Sequence, residues 1–351
     1  MADFAFATCL PGMEPAVKRE VARTRPDLRF AYSRPGLVTF KAPGPLAPED
    51  TPGSVFARVW GRSVGAAGDL VTANAQLANV RADRVHVFAR DPEADLALLV
   101  PWAQLAAPTA VHEGDASIDL RTPSGIAARS AFASLAIGDD AHEGELVADV
   151  IVAPTADEPV WLGVHRHEST RGASPGGVRA VRVPDSAPSR AYAKIEEAIA
   201  WASLPVTAGQ IALEIGAAPG GAVMALAQRG LEVIAVDTGA LADNVRAMKG
   251  VTHLDKKVGA LRWEELPASI AWLLVDVNLA PQVALHEIAR LMPFLKKSLL
   301  GAVITLKMND WQFVDELPEL VRRIREMGLP DVRMRHLPSN RREICVVARV
   351  R

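Results

Sequence analysis

The chain has 351 residues, 49% of them hydrophobic, with a formal net charge of −2. That length exceeds one average domain and supplies a sizeable core, while the near-neutral balance gives no global pull toward nucleic acid. Two cysteines, Cys9 and Cys345, exclude a disulfide framework and fit a reducing, cytoplasmic setting.

No membrane span is expected. The uncharged run 198–213 is too short and is interrupted by Pro205 and Gly209. The start, Met1-Ala-Asp-Phe4, lacks the basic opening of a signal peptide.

In chain order, a strand is expected over 4–10, a turn at Pro11-Gly12, a helix over 14–23 and a returning strand over 36–41. This unit suggests a small α+β module, residues 1–53. Residues 42–53 hold four prolines and two glycines and read as a loop or linker. Strands are expected at 58–64 and 84–89, followed by alanine-rich helical patterns, then strands at 147–153 and 160–165. Residues 54–168 form this second region. His165 and His167 alternate along a strand without a metal-spaced partner and read as surface groups. Trp161, Trp201, Trp263 and Trp272 read as core. Residues 169–188, rich in Gly, Pro, Ser and Arg, read as a linker.

From 189 the pattern becomes alternating helix and strand: a helix at 192–202 and strands at 211–215, 231–236, 271–275, 302–307 and 344–350. That is the pattern of an α/β domain, 189–351, with helices on both faces of a mostly parallel sheet. Its first strand, Ile211-Ala-Leu-Glu-Ile215, runs into Gly216-Ala-Ala-Pro-Gly-Gly221, and the next strand ends in Asp237. Glycines let a ligand approach the backbone at the carboxyl edge of a sheet. An acid about 20 residues on accepts hydrogen bonds from ribose hydroxyls. The spacing is not the dinucleotide G-x-G-x-x-G. Glu214 beside the loop repels a pyrophosphate and suits a cation, and the arrangement resembles the first motif of S-adenosylmethionine-dependent methyltransferases.

Four charged residues stand out. Lys194 lies on the helix before the first strand, Asp276 and Lys307 end apolar strands, and Glu343 opens the last one. A lysine ending such a strand is unusual, because burying an unpaired ammonium is costly. Partial burial and a second cation nearby are expected to lower the pKa of Lys307. Local charge adds a basic character: nine arginines against three acids in 321–351, net +6, and five against two in 161–190, net +3. Arg166, Arg171, Arg179 and Arg182 are the candidates for phosphate contact.

The set Lys194, Asp276, Lys307, Glu343 resembles the K-D-K-E tetrad of FtsJ-like ribose 2′-O-methyltransferases. The segment from Ser189-Arg190 to Glu197, the loop Ala218-Pro219-Gly220-Gly221 and Thr305-Leu-Lys307 are most similar to the ribosomal RNA large subunit methyltransferase M family. Leu10-Pro-Gly-Met-Glu14 and Val55-Phe-Ala-Arg-Val-Trp60 resemble that family's amino-terminal ferredoxin-like and THUMP region. The resemblance implies a Rossmann-like methyltransferase domain behind a smaller α+β ferredoxin-like/THUMP region. It implies S-adenosyl-L-methionine as cofactor and no metal. The substrate implied is 23S rRNA, protein-free or precursor, methylated at one cytidine ribose, with no obligate protein partner.

In the tetrad so implied, Lys307 is the general base, Asp276 orients it, Lys194 tunes it and holds RNA, and Glu343 fixes the lysines. The cofactor set is Ser189, Glu214, Gly216, Ala218, Pro219, Gly220, Gly221, Asp237 and Asp276. Ser189 reads equally as a helix cap. One departure is that the place of the family's adenine-side acid holds Lys257 or Gly259, with Asp255 as a substitute. Two alternatives stay open: the same chemistry on tRNA or another RNA, and a non-catalytic RNA-binding or assembly protein that keeps the fold.

Overall fold

The computed structural model describes residues 3–50, 52–91, 140–155, 158–168, 170–179 and 181–350. The alanine-rich helical patterns expected after residue 89 lie largely in 92–139, outside the described residues. The chain forms two compact units, Met1–Ala180 and Val181–Arg351. Their boundary falls inside the expected linker, 169–188.

The first unit is α+β. Its strands are β1 (Phe4–Thr8), β2 (Arg29–Arg34), β3 (Leu37–Lys41), β4 (Val59–Ala67), β5 (Arg84–Ala89), β6 (Leu146–Val152) and β7 (Val160–Arg166). They make one sheet in the order β2-β3-β1-β4-β7-β6-β5. Because β1 pairs directly with β4, residues before and after position 53 share this sheet. Helix α1 (Glu14–Thr24) buries Ala16, Val17 and Val21 along one face. Helix α2 (Leu70–Leu77) is capped by Asp69, whose carboxylate accepts the Thr72 N–H at 2.7 Å.

The second unit is α/β and Rossmann-like. Its helices are α3 (Ala191–Ala202), α4 (Gly221–Gln228), α5 (Asp243–Arg246), α6 (Pro281–Leu295) and α7 (Phe313–Glu326). Its strands are β8 (Ile211–Ile215), β9 (Glu232–Asp237), β10 (Val251–Asp255), β11 (Trp272–Val275), β12 (Gly301–Lys307), β13 (Asp331–Arg335) and β14 (Glu343–Arg349). The sheet order is β10-β9-β8-β11-β12-β14-β13. β10, β9, β8, β11 and β12 run parallel, and β14 is antiparallel to both neighbours. The order reverses at β8, so the crevice for a ligand opens at the carboxyl ends of β8 and β11. The central strands are buried along nearly their whole length, as in a sheet covered on both faces.

Three sequence expectations are corrected here. β2, β10 and β13 are strands that the apolar pattern did not disclose, and all three are edge strands. His165 and His167 are buried, each 3% exposed. His165 Nδ1 lies 2.6 Å from Oδ2 of the fully buried Asp149 on the neighbouring strand. Trp272 is core, but Trp263 is 54% exposed and stacks on the exposed Phe294 at 5.6 Å. Among the described residues, no helix is long and apolar enough to cross a membrane.

Candidate functional site

The turn after β8 explains its glycines. Gly216 has φ +84°, and a Cβ there would stand 2.3 Å from the Asp276 carbonyl oxygen. A Cβ on Gly221, the first residue of α4, would meet Ser189 Oγ at 2.3 Å. The turn is therefore pressed against β11 on one side and the approach to α3 on the other. The Ala218-Pro219 bond within it is cis. Asp237, ending β9, braces the turn by accepting the Ala218 N–H at 2.9 Å and the Gly239 N–H at 2.8 Å. Ser189 stands one residue before the helix cap, its Oγ accepting the Ala191 N–H at 3.4 Å.

Beside this turn, the four charged residues meet. Lys194 Nζ lies 2.9 Å from Asp276 Oδ2 and pairs with Glu343 Oε1. Lys307 Nζ lies 2.8 Å from Asp276 Oδ1 and 2.5 Å from Glu343 Oε2. The result is a closed ring in which each ammonium bridges both carboxylates. The antiparallel β14 makes this possible: its amino end lies at the carboxyl end of β12, and Lys307 and Glu343 are direct cross-strand partners. Asp276 follows β11, and Lys194 reaches in from α3.

The ring sets its own protonation. Burial opposes the charge on Lys307, but the Asp276 and Glu343 carboxylates beside it outweigh burial and hold its pKa above the ordinary lysine value. The expected lowering is thus reversed, because two anions and not the second cation touch Nζ. Burial likewise opposes ionisation of Asp276 and Glu343, and the two lysines outweigh it, holding both below the usual carboxylate range.

Glu214 behaves oppositely. It is 2% exposed, and its Oε2 has no hydrogen-bond partner. Burial first, then the nearby Asp276 and Asp237, pushes its pKa well above the usual carboxylate range. It lines a cleft together with Lys194, Asp276, Thr305, Asn340 and Cys345. Asn340 was not legible in the sequence, since it lies in a loop without motif spacing.

A buried carboxyl with an unused oxygen, a glycine turn with no room for side chains and an acid at the end of β9 fit a nucleoside-bearing cation. Of the adenine-side candidates, Asp255 ends β10 as the register partner of Asp237, while Lys257 and Gly259 are exposed in the loop that follows.

The basic segments are used differently from expectation. Arg171 is 5% exposed, donates to the Trp60 carbonyl at 2.7 Å and lies 4.4 Å over the Trp60 ring. It is a packing residue and not a phosphate contact. Arg166 donates to the Gly144 carbonyl at 2.7 Å, and Arg179 and Arg182 are exposed. In 321–351, Arg322 pairs with Glu319 and Glu326, Arg349 with Asp331, and Arg335 is buried.

No protein-family model matches the chain. It is 37% identical over 186 residues to "Ribosomal RNA large subunit methyltransferase M" of Alkalilimnicola ehrlichii, covering 50% of this chain and 49% of the relative. It is 33% identical over 183 residues to the protein of that name from Thauera aminoaromatica, covering 48% of each. Among solved structures, TrmN from Thermus thermophilus is 16% identical over 99% of both chains, with a TM-score of 0.34. The chain is thus similar to ribosomal RNA large subunit methyltransferase M proteins, and the match spans about half the length of those curated relatives.

Proposed function

We propose that the chain is an S-adenosyl-L-methionine-dependent methyltransferase that modifies the ribose 2′-oxygen of a cytidine in 23S rRNA. The observation that carries this is the closed Lys194–Asp276–Lys307–Glu343 ring beside the glycine turn at the carboxyl edge of the sheet. The relatives' name supports rRNA as the substrate class. In this proposal the first unit is the ferredoxin-like/THUMP region and supplies RNA affinity, with Arg166 and Arg179 as its phosphate contacts and Arg182, just past the unit boundary, as a third.

Asp237 would accept the cofactor's ribose hydroxyls, and the turn Gly216 to Gly221 would admit the ligand to the backbone. Ser189 would close the turn from the α3 side, and Glu214 would lie against the cation. The bound cofactor supplies an electrophilic methyl on a positively charged sulfur. A hydroxyl is a poor nucleophile until it loses its proton, so the residues must remove one. Lys307 begins protonated, held so by two carboxylates. Lys307 must first lose that proton to solvent, and a cation held beside Asp276 would make this loss easier. Its free amine then takes the 2′-hydroxyl proton as general base, a role worth about 10²–10⁴-fold. Asp276 and Glu343 keep Nζ in place, and Lys194 balances their charge and faces the RNA.

The test is transfer of radiolabelled methyl from S-adenosylmethionine to protein-free, unmodified 23S rRNA, with tRNA in a parallel tube. Label at one ribose of 23S rRNA is the expected result. Label only in tRNA would move the proposal to another substrate, and cofactor binding without transfer to either would overturn both choices.

A further inference from the structure

Glu197 lies three residues beyond Lys194 on α3 and so shares its helix face. It is 7% exposed, yet it is not part of the ring. Its two oxygens are taken by one residue of the β13–β14 loop: Ser339 donates its backbone N–H to Oε2 at 2.9 Å and its hydroxyl to Oε1 at 2.6 Å. A buried carboxylate is expensive unless it is fully hydrogen-bonded, and charge-assisted bonds of this kind are about twice as strong as neutral ones.

The loop so held is itself tied. Leu337 donates its N–H to Asn340 Oδ1 at 2.8 Å, and Asn340 returns its own N–H to the Leu337 carbonyl at 2.9 Å. His336 Nε2 lies 2.6 Å from the Arg341 carbonyl oxygen. At its far end, the Arg342 carbonyl accepts the Met308 N–H at 2.7 Å, one residue past Lys307. Glu343 follows at once. The loop is therefore pinned to β12 through Arg342 and to α3 through Glu197, and α3 is the helix that carries Lys194.

We propose that Glu197 is the positioning residue of the ring: by clamping Ser339 to α3 it fixes Glu343 relative to Lys194, and so keeps Glu343 on both lysines. The catalytic consequence rests on the function proposed above, while the geometric one does not.

The test compares Glu197→Ala, Glu197→Gln and Ser339→Ala in the full chain, with Lys307 titrated by side-chain NMR and its signal assigned from Lys307→Arg. Glu343 helps hold the Lys307 pKa up. Freeing Glu343 in Glu197→Ala is expected to lower that pKa by roughly half a unit or more. Ser339→Ala, which removes one of the two bonds, is expected to give a smaller shift in the same direction. Glu197→Gln should restore most of the value, since a carboxamide can accept the Ser339 N–H and donate to its hydroxyl. Methyl transfer should fall about 10²-fold in Glu197→Ala, as expected for a displacement near 1 Å, with cofactor affinity nearly unchanged.

A Lys307 titration unchanged in the folded variants would overturn the proposal. If Glu197→Ala does not fold, Ser339→Ala alone decides it. Wild-type protein that transfers no methyl, but whose Lys307 titration responds to Glu197, would overturn the proposed function and leave the clamp standing. Full transfer and an unmoved titration in Glu197→Ala would do the reverse.

Discussion

In the first unit, Arg58 is 2% exposed and donates to the Arg90 carbonyl at 2.8 Å and the Gly176 carbonyl at 3.3 Å. Arg90 in turn pairs with Glu158 at 2.8 Å, and Asp149 is fully buried against His165. In the second unit, Lys194 and Lys307 are slightly more exposed and touch only side-chain carboxylates in the contacts described. Both regions bury charge, but the first spends it on backbone carbonyls and inter-strand ties, whereas the second turns four charges toward one another around an open cleft. Burial alone therefore marks neither catalysis nor binding. What separates the second region is that its charged ends converge at a sheet edge where a ligand has room.

The largest effect that would break this contrast is on Lys307. Lys307→Ala is expected to cut methyl transfer about 10²–10⁴-fold with calorimetric cofactor binding retained, and undiminished transfer would remove the ring from the chemistry. Next comes Asp149→Ala, expected to destabilise the first unit by about 3–5 kcal/mol in denaturant unfolding, because it breaks a buried pair. A loss under 1 kcal/mol would mean that this cluster is not structural.

The two units should also respond to pH with opposite sign. Burial, then the neighbouring His165, Arg171 and His86, lowers the His167 pKa from the ordinary histidine value to about 4. Its folded state binds the proton less well than the unfolded chain. Its stabilisation is present above about pH 6.5 and is lost as pH falls through about 4, on the order of 2–3 kcal/mol.

Burial pushes the Glu197 carboxyl up to about 7, despite the Ser339 bonds. Its contribution is therefore present below the unfolded carboxyl value and is lost as pH rises through about 7. Hydrogen exchange resolved by unit, corrected for intrinsic rates, should show the first unit gaining and the second losing protection between about pH 4.5 and 7. Parallel slopes would refute the assignment, and His167→Gln should flatten the first. The smallest effect concerns RNA. Arg179→Ala should reduce the salt slope of binding by about 1, while Arg171→Ala should lower stability and leave the slope unchanged.

How much was legible follows from the same division. The glycine turn, Asp237, Asp276 and Lys307 announce themselves because each interrupts or ends an apolar run, the central strands of a covered sheet. β2, β10 and β13 did not, because edge strands bury less: Arg29-Phe-Ala-Tyr-Ser-Arg34 and Asp331-Val-Arg-Met-Arg335 carry too few apolar side chains to give a pattern. The burial of His165 and His167 is not legible, because the Asp149 partner of His165 sits 16 residues before it on another strand, and alternation by itself cannot tell a polar interior from a wet face. The sign of the Lys307 shift depended on which charges touch Nζ. That is fixed by the direction of β14, to which hydrophobic alternation is blind.

That direction has a consequence for length. Lys307 and Glu343 meet because β14 enters in one register, and side chains on a strand alternate faces with a period of two. Residues 336–342 therefore act as a ruler. Adding or removing a single residue between Asn340 and Glu343 that shifts β14 by one would present Arg342 or Ile344 where the carboxylate stands, opening the ring and turning the buried side chains of β14 to the opposite face. This short loop cannot vary in length as surface loops ordinarily do, although no residue within it belongs to the ring.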